Sequence, residues 1–344
     1  MHSRSHLLQC AAFALLLLAL LLLAATAEAK TLKIATLVPD GSSWVAEMRK
    51  AGDTIAEKTQ GRVKLKFYPG GVMGNEKTVL RKMRAGQLHG GAFTSGALAQ
   101  VYPDAELYSL PLLFRSYDEV DPVREQIDPI IREGLAKKGF EALAISDTGF
   151  AYLMSQKPLR EVGDLDGTRV WIVEGDLMSE VALEVAGVSP VQLPIDDVYT
   201  ALQTHLIDTV ASPPMATIAF QWHTKVAYLT DVPLMYLFGF FAVDRKVFDK
   251  LRPGDQAILR ETVAASAARL DSENRAGELN AKQALRNQGI EFVTASSAAE
   301  LKRWHEISTQ ALVKLREMDR YSDTMISEIL RLIEEYRAAQ PEPR

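Results

Sequence analysis

The adjacent carboxylates Asp196 and Asp197 are the side chains whose placement most invites acid–base chemistry. A catalytic dyad needs a second acid, a His or a Ser at a supporting offset, and none stands there. Behind Pro194 the pair is better suited to capping a helix, a carboxylate accepting orphan backbone N–H groups. Other reactive arrangements are missing too: the sequence has no His-Glu-x-x-His, no Gly-x-Ser-x-Gly and no cluster with metal-ligand spacing. The single cysteine, Cys10, lies in an N-terminal apolar run, which leaves the rest of the chain without disulfide or thiolate chemistry. His305 reads as solvent-facing. No catalytic residue, metal or cofactor is expected, and the reading is non-enzymatic.

The elements that would position a binding site come from the remaining pattern. Arg4, an apolar run over 11–25 and the small-x-small sequence Ala27-Glu28-Ala29 read as an export signal occupying 1–29, and the run is short for a membrane anchor. Export places the protein in the periplasm. Removing that segment takes one base, Arg4, and one acid, Glu28, so the net charge stays at −5 and gives no basic footprint for nucleic acid. The roughly 315 residues that follow suggest two domains on the usual size prior.

A strand over 31–36 precedes a helix beginning at Ser42 or Ser43, with Trp44, Val45, Met48, Ala51, Ile55 and Ala56 at helical spacing. Residues 63–68 alternate as a strand, 76–85 form a helix, and the glycine-rich strand 90–94 suits close backbone approach. Helical stretches near 117–138, 176–186, 196–204 and 214–222 then alternate with strands near 141–146, 168–173, 188–193 and 207–211. That alternation predicts parallel sheets sandwiched by helices, an α/β fold. A proline-free run over 254–287 predicts one helix of about 45–50 Å. Two further helices follow, near 297–318 and 322–339, and the last five residues read as a disordered tail.

Five ordered motifs resemble the substrate-binding subunit of tripartite ATP-independent periplasmic (TRAP) transporters: Thr59-Gln60-Gly61-Arg62-Val63-Lys64, Tyr68-Pro69-Gly70-Gly71-Val72-Met73-Gly74, Leu110-Pro111-Leu112-Leu113-Phe114, Asp164-Leu165-Asp166-Gly167-Thr168-Arg169-Val170, and the stretch from Leu193 through Val198-Tyr199-Thr200-Ala201-Leu202-Gln203 to Asp208. The resemblance spans the chain beyond the signal, and it sets His205 at the family's post-helix glycine position, which implies a left-handed backbone that His tolerates. It implies a two-lobed periplasmic binding protein fold with a hinge, crossing strands and a lobe-spanning helix. Lobe I would be 30–147 plus 239–280, lobe II 148–238 plus 281–340, and the crossing strands 150–155 and 234–243. It also implies partners: a small-molecule solute and two TRAP membrane subunits.

The sequence departs from the family where the solute's carboxylate is held. The usual clamp arginine is replaced by Trp171, a second arginine position after Gly149-Phe150 holds Ala151, and the family's Glu-Asn-Pro reads Ala211-Ser212-Pro213. A buried carboxylate without a paired cation carries a desolvation penalty of several kcal/mol, so a simple dicarboxylate fits poorly. The resemblance places Trp171, Phe150, Ala151, Ile195 and Tyr199 at the ligand, with Ser212, Met215, Phe238, Gly239 and Thr94, and sets Glu174 nearby to receive a hydroxyl or amine. A hydrophobic or amphipathic solute is expected. A subgroup of the family that lacks the arginine is associated with a periplasmic tetratricopeptide-repeat partner, and membership would imply that partner here. Two alternatives stay open: a receptor for an organic acid bound without the usual arginine, and a periplasmic lipid carrier or sensor not coupled to a transporter.

Overall fold

The computed structural model describes residues 29–340. The predicted signal, apart from Ala29, and the predicted tail, apart from Gln340, lie outside the described residues. Nine strands form one sheet among the described residues: β1 (Lys30–Ala35), β2 (Val63–Tyr68), β3 (Gly90–Thr94), β4 (Phe140–Ser155), β5 (Val170–Val173), β6 (Val191–Leu193), β7 (Thr209–Ser212), β8 (Tyr228–Asp244) and β9 (Glu291–Val293). Their order is β2-β1-β3-β8-β4-β7-β5-β6, with β9 added to one end of β8.

The expectation of wholly parallel sheets is corrected at the centre. The outer pairs β1–β2, β1–β3, β5–β6 and β5–β7 are parallel, as helix crossovers dictate. The pairs β3–β8, β4–β8 and β4–β7 are antiparallel, and the long β4–β8 ribbon runs from Phe140 opposite Asp244 to Ser155 opposite Tyr228. The predicted strands 141–146 and 150–155 are thus one strand. Gly149 interrupts the pattern but adopts φ 111°, and the ladder absorbs it as an irregularity between Asp147 and Gly149. Pro233 likewise falls in the unpaired stretch of β8 between Thr230 and Met235, where no ladder N–H is needed.

Helix α1 (Ser43–Lys58) buries Val45, Met48, Ala51 and Ile55 and is capped by Ser42, which accepts from Val45 N. Helices α2 (Glu76–Arg84), α3 (Ser95–Ala99) and α4 (Tyr117–Lys137) follow, then α5 (Leu177–Val185), α6 (Val198–Gln203), α7 (Pro214–Ala219) and α8 (Arg245–Phe248). The long helix α9 (Pro253–Asn287) has 35 residues, about 52 Å, and α10 (Ala298–Glu317) and α11 (Asp323–Ala339) complete the described chain. The capping expectation fails at α6: Ile195–Asp197 form a turn of 3₁₀ helix, and Asp197 makes no side-chain cap hydrogen bond. His205 takes φ 57°, the left-handed form expected of it.

Close backbone approach explains the glycine-rich strand β3. A Cβ on Gly90 would stand 2.6 Å from Ala242 O, and one on Gly239 of β8 would stand 2.9 Å from Phe93 O. Helix α9 ties the two ends of the ribbon together. Arg269 pairs with Glu47 of α1, Glu278 accepts from Tyr117 and Tyr152 at 3.0 Å each, and Lys282 pairs with Asp231 at 3.0 Å.

Candidate functional site

A cavity of about 400 Å³ opens where β3, β5, β7 and the middle of β8 meet the N-termini of α3, α5 and α7. Trp171 lies on its wall, 5% exposed, with its Nε1–H donating to Leu193 O at 3.0 Å. The indole's one polar atom is therefore satisfied by backbone, and its ring is free to present apolar surface. Trp222 meets it edge-on at 5.2 Å, and Phe220 stacks on Trp222 at 5.2 Å. Of the other residues expected at the ligand, Ile195, Ser212, Met215, Phe238, Gly239 and Thr94 also line the cavity.

Four expected contacts lie elsewhere. Phe150 is 4% exposed and packs edge-on against Tyr117 at 5.1 Å, and Ala151 is fully buried on the opposite face, because β4 lies inside the sheet and is covered on both faces. Tyr199 sits under the ammonium of Lys225, 5.1 Å from its ring centre. Glu174 is at the rim, where Lys77 donates to it at 3.2 Å across the cleft. The pair is exposed, so Glu174→Gln is expected to change unfolding free energy by less than about 1 kcal/mol in a urea melt.

Sequence reasoning missed the charge on this wall. Glu76, Glu106, Asp147, Asp176 and Asp271 all line the cavity, and no Lys, Arg or His does among the described residues. Arg169, next to the lost clamp position, is committed to Asp208, with its Nε 3.0 Å from Oδ2. Arg124 and Arg275 both pair with Asp147 from behind. The only cue in the sequence was acids set within apolar runs, such as Glu106 in Asp104-Ala105-Glu106-Leu107, and period alone does not tell which of them turn inward.

Each acid has a different environment. Glu76 accepts from Thr94 N at 2.5 Å and Thr94 Oγ1 at 2.9 Å, yet burial still pushes its carboxyl up to about 7. Burial, reinforced by the charge of Asp147, brings Asp271 to about 7. Glu106, 1% exposed, is pushed up to about 8 by burial and then by Asp176. Asp176 is itself raised by burial while Ser179 donates to it from N and Oγ at 3.0 and 2.6 Å.

These shifts fix a sign. In the unfolded chain the same carboxyls ionise near pH 4, so between about pH 4.5 and 8 they hold more protons folded than unfolded, outweighing His89 and His305, which burial lowers and which act in the opposite sense. Stability therefore falls as pH rises through this window. Carboxyls held low by arginines, such as Asp255 beside Arg62, make their gain below it. Urea melts of the ligand-free protein should show a loss of at least about 2 kcal/mol between pH 5 and 8, and Glu106→Gln should flatten the slope.

The comparisons with known proteins bear on what such a cavity is for. Residues 34–318 match bacterial extracellular solute-binding protein family 7, the DctP family. The chain belongs to this family. A C4-dicarboxylate-binding periplasmic protein of Rhodobacter capsulatus is 24% identical over 263 residues, 75% of this chain and 78% of that one. The 2,3-diketo-L-gulonate-binding periplasmic protein of Escherichia coli is 25% identical over 213 residues, 61% of this chain and 65% of that one. Two solved TRAP periplasmic solute-binding proteins share the fold at 21% identity. That from Xanthobacter autotrophicus, with β-D-galacturonate bound, has a TM-score of 0.80 and covers 90% of this chain and 100% of its own. That from Haemophilus influenzae, with L-gulonate bound, has a TM-score of 0.81 and covers 89% and 100%.

As a DctP-family protein the chain is a periplasmic, non-enzymatic receptor that binds a small solute and works with TRAP membrane subunits. Its two-lobed α/β fold is the one the motifs led us to expect. No described helix is long and apolar enough to cross a membrane, and no described group of His, Cys, Asp and Glu is arranged to hold a metal.

Proposed function

We propose that this receptor carries a largely apolar solute that is not an anion, and delivers it to its TRAP membrane subunits. One observation carries the reading: five carboxyls and no basic side chain line the cavity among the described residues. The solved relatives named above hold sugar acids. An acid of that kind entering this cavity would lose its hydration among buried carboxyls, with no basic side chain on the wall to offset a penalty of several kcal/mol. Apolar surface laid against Trp171, Trp222 and Phe238 instead gains about 25 cal/mol per Å².

Lobe I is taken as 30–147 plus 239–280 and lobe II as 148–238 plus 281–340. The irregularity between Asp147 and Gly149, opposite Phe238 and Leu237, supports a hinge at that boundary. A solute touching both lobes selects the closed state. The apolar cavity also supports membership of the subgroup with a tetratricopeptide-repeat partner, and a gene for such a partner beside this one is the check.

Native mass spectrometry of protein taken from its own periplasm, then gently denatured, tests the reading. Release of a neutral or cationic, largely apolar molecule is the expected result. Release of a sugar acid or a small dicarboxylate rejects it.

A further inference from the structure

Among the described residues three buried side-chain atoms have no hydrogen-bond partner, Glu106 Oε2, Trp304 Nε1 and Thr262 Oγ1, and the first two belong to residues of the cavity wall. Glu106 is 1% exposed, and Tyr321 OH donates to its Oε1 at 2.5 Å, which fixes the carboxyl and leaves Oε2 free. A buried polar atom without a partner costs about 1–3 kcal/mol, so this atom is a place where an occupant would be rewarded. Asp176 stands beside it. The point where Gly96 would carry a Cβ is 3.7 Å from Glu106 Oε2 and 3.7 Å from Asp176 Cβ. Glu106 Oε2 and the Cβ of Asp176 thus flank the same glycine, and the charge of Asp176 acts on Glu106.

We propose that this spot receives a protonated amine, so that the solute is an organic ammonium with its apolar body against the aromatic wall and its N–H groups at Glu106 Oε2 and Asp176. The inference rests on the apolar-solute reading above and narrows it to the amines. Glu106 and Asp176 do not both ionise readily in one enclosed site unless a cation lies between them, and an ammonium brings both the charge and three donors. A hydroxyl brings one donor and no charge. The groups facing Glu106 are Asp176, Tyr321 and Arg320, and the Arg320 guanidinium directs its hydrogen bond to Ala99 O at 3.4 Å rather than to Glu106. A Cβ at Gly96 would make ordinary contact with both acids, so a side chain longer than alanine's would fill the space beside Glu106 Oε2.

The proton balance is explicit. Burial holds the empty-site Glu106 up to about 8, so near pH 7 it is mostly protonated. An arriving ammonium lets it ionise, and one proton leaves to solvent. Amine affinity therefore rises as pH goes from 6 to 8.5, below the amine's own pKa of about 10.

The test is calorimetric titration of the full exported chain, stripped of occupant, with 1-octylamine, 1-octanol, octanoate and D-glucuronate at pH 7.5. Octylamine should bind at least about 10-fold more tightly than octanol, and octanoate should not bind. Glu106→Gln should weaken octylamine roughly 10- to 100-fold, the value of a charge-assisted hydrogen bond, and octanol by much less, since a hydroxyl brings no charge to that atom. Equal affinity for amine and alcohol in the wild type overturns the amine inference while the apolar-solute reading stands. An amine preference that survives Glu106→Gln overturns the assignment to Glu106. Binding of D-glucuronate with no binding of the octyl compounds overturns both. The wild-type series and its pH dependence need no variant, so they decide the matter even where Glu106→Gln does not fold.

Discussion

Asp147→Asn is expected to lower the unfolding free energy by about 3 kcal/mol, a large part of the stability of a typical protein. The Asp147 side chain is fully buried, at the irregularity of β4 where the proposed hinge lies. Arg124 of α4 reaches its Oδ1 at 2.5 Å, Tyr236 of β8 donates to the same oxygen, and Arg275 of α9 donates to Oδ2. One carboxylate therefore joins four elements. Arg124 keeps Asp128 and Arg275 keeps Asp121 when Asp147 is neutralised, which is why the loss falls at the lower end of the 3–5 kcal/mol typical of a broken buried pair. Urea melts check the figure, and a loss under 1 kcal/mol would show that the arginines are already neutralised by their other partners.

The same variant has a second readout. Asp147 N donates to Asp271 Oδ1 at 3.0 Å, and the charge of Asp147 is one of the two causes that raise the Asp271 carboxyl to about 7. Removing that charge leaves burial alone, so the Asp271 titration followed by carboxyl-resolved NMR should move down. A change in backbone packing without loss of the charge would not move it.

How much of this was legible in the sequence depends on the range of the interaction. Helix α9 was readable because its composition and the absence of internal proline act locally, and its observed span, Pro253–Asn287, matches the run. The left-handed His205 was carried by the resemblance, and the glycines of β3 announced a close backbone approach without saying that its partner at Gly90 is Ala242 O. The β4–β8 ribbon was not readable, because the pairing of Phe140 with Asp244 is a contact between residues about a hundred positions apart, and Gly149 looked like a strand end. The motifs carried Trp171 to the cavity, but they could not reveal the acids. Glu106, Asp176 and Asp271 come from three separated segments, and only the folded chain sets them around one cavity that no Lys, Arg or His lines among the described residues.

Trp171→Ala should weaken solute binding by about 2–4 kcal/mol, roughly 30- to 1000-fold, while unfolding stays cooperative. The indole is held by its bond to Leu193 O and by the edge-on contact with Trp222, so it offers a pre-ordered surface whose rotamer entropy is spent on folding rather than on binding. Truncation removes that surface and lets Trp222 relax into the space, so the solute loses contact area twice. Stability falls as well, by about 3–5 kcal/mol for a Trp this buried, and the binding measurement is made where the variant is still folded. Trp171→Phe separates the contributions: it keeps an aromatic face and loses the Leu193 bond, so it should retain most of the affinity. Titration with 1-octylamine on both variants checks this. Unchanged affinity in Trp171→Ala would remove the indole from the solute's surroundings and, with it, the reason this member of the family would forgo an arginine at that place.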